Sequence, residues 1–427
     1  MRAKQWMKAG LSHTLPVVAI VVVAVHLTAS ALFFMEASIL ERLAWTALAV
    51  LGLGAGAYSY NRLERPARAL LCLAVGVPAF LVGLGVHVSH VVQVGAGASD
   101  VTGLAMLGAS LFLLVVGGTA MFRLIYTWWR RLFLIPPVIA FAFFVMFPVT
   151  LGIFASNVAH HPCCNETPAD RGIAYEDVSF DTAKGLTLSA WFIPAQNGAV
   201  VITVHGAGRN RATVLDEAEI LVRHGYGVLM VDLEGFGDSE GRANAFGWVG
   251  ARGVHAAIDY LKSRDDVDAD RIGGLGLSMG GEVLLQAAGE SDGLKAVVSE
   301  GGTGRTGKDF REMDAFDYDT IVTAIHFVAG ATMSVISGEP APPPLKQMVQ
   351  QIAPRRVLLI AASIPEEEKL MGMYREIGGE YFDMWTIPES KHVGAFDLHP
   401  EEYEERVVAF FDDALLGDLG GPTLNTQ

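Results

Sequence analysis

Apolar residues are spread unevenly along this chain. Up to about residue 154 they form long runs, at 15–35, 43–60, 69–92, 103–126 and 132–154. Each run is near or above the roughly 18–20 residues that a helix needs to cross the hydrocarbon layer of a bilayer. The first is too long for a signal peptide, and four more follow it. About five membrane spans are therefore expected, the fifth interrupted by Pro136, Pro137 and Pro148.

From residue 173 the rhythm changes. Residues 175–181 and 186–193 alternate around Lys184-Gly185, which predicts a hairpin. Residues 199–204 are continuously apolar, as in a strand covered on both faces. Strands at 227–231, 271–276, 296–299, 357–361 and 381–387 then alternate with helices at 212–224, 247–263, 282–288, 367–377 and 401–415. That alternation predicts a mainly parallel sheet with helices on both faces. The division expected is a transmembrane helical domain over 1–158 and an α/β domain over 159–427. An insert over about 303–350 interrupts the sheet pattern.

Composition sharpens the division. Of 427 residues 51% are hydrophobic, more than a soluble globular protein usually carries. Residues 1–164 hold 10 Lys and Arg against 4 Asp and Glu, a net +6; the remainder carries −21. So acidic a domain repels nucleic acid, and no nucleic-acid partner is expected. Basic residues alternate between connections. Arg2, Lys4 and Lys8 precede the first span, Arg62, Arg65 and Arg68 follow the second, and Arg123, Arg130 and Arg131 follow the fourth. The positive-inside rule then places the N-terminus in the cytoplasm, and five spans put the α/β domain outside it, on a multi-pass cell-membrane protein.

Three cysteines cannot build a disulfide framework. The adjacent Cys163 and Cys164 read as a vicinal disulfide, a modified pair or two free thiols. His87 and His90 could approach His160 and His161, yet no Cys/His spacing matches a recognised metal site. Neither a metal nor a cofactor is expected.

The chemistry concentrates at Gly276-Leu277-Ser278-Met279-Gly280, a G-x-S-x-G sequence between the strand at 271–276 and the helix at 282–288. A strand that turns at once into a helix strains its pivot residue, and small neighbours let the serine oxygen stand clear. The plainer reading is a glycine-rich turn with an incidental serine. A nucleophile needs a base, and His392 follows the last strand on the loop Ser390–Gly394. It needs an oxyanion site, and Gly206-Ala207 ends the strand at 199–204, so that the Ala207 and Met279 N–H groups form the natural pair. It also needs an acid after the strand at 357–361. No aspartate is there; Glu366 is nearest the required place and Glu367 next, though both could be first-turn carboxylates that favour a helix dipole.

Residues 173–416 resemble the α/β-hydrolase superfamily, in particular its dienelactone-hydrolase-like and prolyl-oligopeptidase-like esterase branches. The resemblance rests on His205-Gly206-Ala207-Gly208, the run Asp232–Ser239, Asp270-Arg271-Ile272 leading into Gly276–Gly281, and Lys391-His392. It implies an α/β-hydrolase fold behind the membrane helices and hydrolysis of an ester, thioester or amide through an acyl-serine. Ser278, His392 and Glu366 would be the triad, with Ala207, Met279 and Gly206 at the oxyanion. A carboxylesterase acting on a small or lipid-like ester is the leading expectation. A peptidase of prolyl-oligopeptidase type and a non-catalytic sensor or scaffold are the alternatives. The insert should cap the site, with Phe310, Met313, Phe316, Tyr318, Ile325, Phe327, Val328 and Met333 either lining an acyl pocket or fastening the cap. Oligomeric state is not legible.

Overall fold

The computed structural model describes residues 2–30, 39–125, 128–158, 161, 163–241, 245–310 and 316–417. It divides into two units, Met1–Phe154 and Ala155–Gln427.

The first unit is helical. Arg42–Tyr60, Arg65–Val94, Ala98–Leu124 and Trp128–Ser156 are long and apolar enough to cross a membrane, matching four of the five expected spans. The first expected span falls on the helix Arg2–Ala29; its apolar part, Thr14–Ala29, is shorter, and residues 31–38 lie outside the described residues. A fifth long apolar helix lies instead in the second unit, at Thr320–Ser337. Inside the first unit His87 and His90 turn toward Asp100, with Nδ1 to carboxylate distances of 2.9 and 2.7 Å. His26 Nε2 lies 3.1 Å from His87 Nε2. Of the other two histidines weighed as metal ligands from the sequence, His160 lies outside the described residues.

The second unit carries an eight-stranded sheet in the order β1-β2-β4-β3-β5-β6-β7-β8. The strands are β1 Glu176–Asp181, β2 Thr187–Ile193, β3 Val200–Val204, β4 Gly227–Val231, β5 Ile272–Leu277, β6 Ala296–Glu300, β7 Arg356–Ala362 and β8 Phe382–Ile387. β1 and β2 form the expected antiparallel hairpin, β2 pairs antiparallel with β4, and every later pairing is parallel. All five residues of β3 and of β4 are buried, as continuous apolar runs require. One core gathers Ile202, Val204, Leu284 and Leu359; the other, Val201, Met230, Val298 and Phe411. Two apolar layers on one sheet are what a doubly covered α/β domain needs. The sulfurs of Cys163 and Cys164 lie side by side.

The insert is helical too. Gly307–Phe310, Phe316–Ser337 and Leu345–Val349 separate β6 from β7, although these strands are direct neighbours in the sheet. Leu345 and Val349 are fully buried and return the chain to the core.

Candidate active site

Ser278 stands between β5 and the helix Met279–Glu290, with φ 53° and ψ −119°. A β-carbon on such a backbone costs about 1–3 kcal/mol, so the surroundings must impose it. A β-carbon on Gly276 would lie 2.3 Å from the carbonyl carbon of Gly280, and one on Gly280 would lie 2.2 Å from the Val204 oxygen. The two glycines are thus required by close backbone approach. Ser278 N–H donates to the Glu300 carbonyl at 2.7 Å, which ties the bend to β6.

His392 Nε2 lies 2.8 Å from Ser278 Oγ, across 114 residues of sequence. Its Nδ1 lies 2.9 Å from Glu367 Oε2. The carboxylate beside His392 is therefore that of Glu367, not that of Glu366. The helix Pro365–Gly378 starts immediately before them, and successive side chains on a helix point about 100° apart. Glu367 turns inward, 2% exposed, and its Oε1 accepts the Ala362 N–H at 2.7 Å. Glu366 is left partly exposed on the other side of the turn. Hydrogen bonding to Glu367 raises the pKa of His392 above its ordinary value, against the opposing effect of partial burial.

Gly206 lies against the bend: a β-carbon there would be 3.6 Å from Ser278 Cβ and from the Leu277 oxygen. Met279 is buried at the first position of its helix, where an N–H has no partner in the helical ladder. Ala207 follows Gly206 on the partly buried loop after β3. His205 is fully buried; its Nδ1–H donates to the Gly206 oxygen at 2.8 Å and its Nε2 accepts the Leu233 N–H at 3.3 Å. Burial lowers its pKa, so it serves as a neutral brace for the loop. Arg211 adds a second brace. It pairs with Asp232, bonds Asp238 Oδ2 at 2.9 Å and lies over the Trp191 ring.

Two carboxyls escaped the sequence reading. Glu300, at the end of β6, is 3% exposed and accepts the Ala395 N–H at 3.0 Å, just past the His392 loop. Burial raises its pKa to about 7. Glu282, in the first turn after Ser278, accepts from both the N–H and the hydroxyl of Thr303 at 3.1 Å, and burial raises it to about 7. The only available signal was a charged residue inside or beside an apolar run. Of the insert residues, Phe310 and Met333 are buried, Ile325 and Val328 are partly covered, and Phe327 is 73% exposed, so it lines no pocket. Met313 lies outside the described residues. Among those described, one metal-compatible group occurs in this unit, Cys163 with Asp232 and Asp238, and Arg211 already occupies both carboxylates.

A strained serine after β5, a histidine after β8 and a carboxylate after β7 converge at the carboxyl edge of a mainly parallel sheet, and residues 165–365 match the family model of the X-Pro dipeptidyl-peptidases (S15 family). The second unit has the α/β-hydrolase fold. It is a hydrolase of the esterase and peptidase type. Among curated proteins it is similar to the uncharacterized protein YfhR of Escherichia coli K12, 28% identical over 256 residues, which cover 56% of this chain and 81% of that one. The α/β hydrolase domain-containing protein WAV2 of Arabidopsis thaliana is 33% identical over 139 residues, or 31% of this chain and 44% of that one. Among solved structures an esterase of Pyrococcus furiosus aligns at 22% identity and a TM-score of 0.48, covering 61% of this chain and 98% of its own. In this α/β hydrolase the family match includes Ser278 and ends before Glu367 and His392.

Proposed function

We propose that this protein is a membrane-anchored serine hydrolase that cleaves a carboxylic ester through an acyl-serine. The observation that carries the reading is the hydrogen-bonded series Ser278 Oγ, His392 Nε2, His392 Nδ1, Glu367, at 2.8 and 2.9 Å. In the forward step His392 Nε2 takes the Ser278 proton as Oγ bonds to the acyl carbon. Glu367 keeps the imidazole in the tautomer with a free Nε2 and stabilises the imidazolium that forms. The oxyanion accepts the Met279 and Ala207 N–H groups. Collapse expels the alcohol, which receives the proton from His392. A water then gives its proton to Nε2 and attacks the acyl carbon; the acid departs and the proton returns to Ser278. No cofactor enters this scheme.

Labelling with a fluorophosphonate tests it: an adduct on Ser278 of folded protein is expected, and its absence would sink the catalytic reading. A peptidase is the second reading, favoured by the match to the X-Pro dipeptidyl-peptidase family. Short p-nitrophenyl esters compared with aminoacyl-proline amides separate the two. The scaffold alternative drew on the missing aspartate, and Glu367 in that place counts against it. With the helix Arg2–Ala29 counted as a fifth span, the four membrane-length helices of the first unit and the alternating basic connections support an anchor with its N-terminus in the cytoplasm and the hydrolase unit outside. Protease added to intact cells should then clip the hydrolase unit, whereas full protection would reverse the orientation.

A further inference from the structure

We propose that the insert helix Phe316–Ser337 lies along the surface of the bilayer with its outer face among the lipid chains, so that the site draws its ester from the membrane. From Thr320 to Ser337 the helix carries no Lys, Arg, Asp or Glu, and its length and composition would suit a membrane span. Its exposed positions are Thr320, Ile321, Phe327, Ala331, Val335 and Ile336, of which Phe327 and Val335 are 73% and 83% exposed. A stripe of that kind is costly in water and marks a surface that meets a membrane or a partner.

The helix cannot cross the bilayer. Its inner face is held along its length by the hydrolase unit. His326 stacks on Phe310 at 4.3 Å, Gly330 rests on Trp248, and Met333 is buried with Trp248 and Ala155. The seven residues 338–344 then lead to the buried Leu345. Seven residues reach about 24 Å at full extension, short of the roughly 30 Å of hydrocarbon. The chain could not return from the far side.

Lipid is the occupant that the molecule itself nominates. Ala155, packed with Met333, is the next-to-last residue of the apolar stretch Trp128–Ser156, so the end of a membrane-length segment touches this helix. The net charge of the second unit is strongly negative, so anionic headgroups would repel it and contact must be apolar. Trp248 links the helix to the reaction: the preceding Gly247 abuts Met279, and Phe246 packs with Trp248 and Met333. An acyl chain leaving the bilayer along the helix would meet the Ser278 bend. The substrate part of this inference rests on the serine-hydrolase reading; the lipid contact does not.

The test uses the full chain in phosphatidylcholine nanodiscs. Phe327→Cys bearing an environment-sensitive fluorophore should lose at least half its emission when doxyl-labelled lipid is added. Glu401→Cys, an exposed position on the helix Pro400–Phe411, should not respond, with label on native cysteines subtracted from unsubstituted protein. An unquenched Phe327 label overturns the proposal. So does cross-linking of position 327 to a second copy or to the chain's own N-terminal helices. Phe327→Asp with Val335→Asp should slow hydrolysis of a long-chain ester dissolved in the bilayer about tenfold. A short water-soluble ester should be turned over within twofold of the unsubstituted rate. Equal losses on both esters, or none on the bilayer ester, overturn the substrate assignment. Absence of both turnover and fluorophosphonate adduct in the unsubstituted protein sinks the hydrolase reading instead, and the quenching result then decides the lipid contact alone.

Discussion

Ser278 is held in a backbone conformation that few residues with a β-carbon adopt, and His392 meets it only because a glutamate behind the ring fixes its orientation. Ser278→Ala should therefore abolish the fluorophosphonate adduct and lower ester turnover about 10³-fold or more, with the thermal midpoint little changed. Glu367→Gln keeps the shape of the acid but removes its charge, and should lower kcat roughly 10²- to 10⁴-fold. Glu366→Gln, on the partly exposed side of the same turn, should leave kcat within about twofold. The pH profile separates them further. The base must be neutral, and the Glu367 hydrogen bond raises the His392 pKa above its ordinary 6.5. The acid limb of kcat/KM should thus have its midpoint above that value, with activity lost as pH falls through it. In Glu367→Gln the midpoint should move down, and in Glu366→Gln it should stay.

At the scale of elements, the site is a meeting of strand ends. β5 delivers the serine, β6 ends at Glu300 and Gly301, β7 runs into the Glu367 helix, and β8 into the His392 loop. Gly301 is where that meeting touches the imidazole. Its φ is +65°, and a β-carbon there would lie 2.8 Å from His392 Cε1. Gly301→Ala should push the imidazole off its line to Ser278. The expected result is at least a tenfold loss of kcat together with a thermal midpoint a few degrees lower, read by steady-state kinetics and a melt. Nothing in the local sequence Ser299-Glu300-Gly301-Gly302 announces this role. It arises because β6 lies next to β7, which brings Gly301 under a ring 91 residues later in the chain.

At the scale of the whole molecule, buried acids set the pH range of stability. Glu217, on the helix Leu215–Arg223, is 6% exposed, and burial raises its pKa from 4.5 to about 8, helped by the nearby Glu300. Between those values the folded protein keeps the proton and the unfolded chain releases it. The stabilisation is complete below about pH 4.5 and is lost as pH rises through about 8. Glu217→Gln removes that titration, so its thermal midpoint should fall less between pH 5 and pH 8 than that of the unsubstituted protein.

The order of strands and helices, the four apolar helices of the first unit and the pairing of Ser278 with His392 were all legible in the sequence. Each depends on local rules: periodicity for the elements, apolar length for the spans, and glycine spacing for the bend. Two neighbouring glutamates at a helix start look alike in one dimension. Only the helix direction at Pro365 decides that Glu367 faces the ring and Glu366 the solvent. The same holds for the insert, where the sequence showed apolar side chains but not which of them the sheet would cover. Burial and hydrogen-bond reach are properties of distance in space. They were settled when β6 and β7 came to lie side by side, with paired residues 60 positions apart.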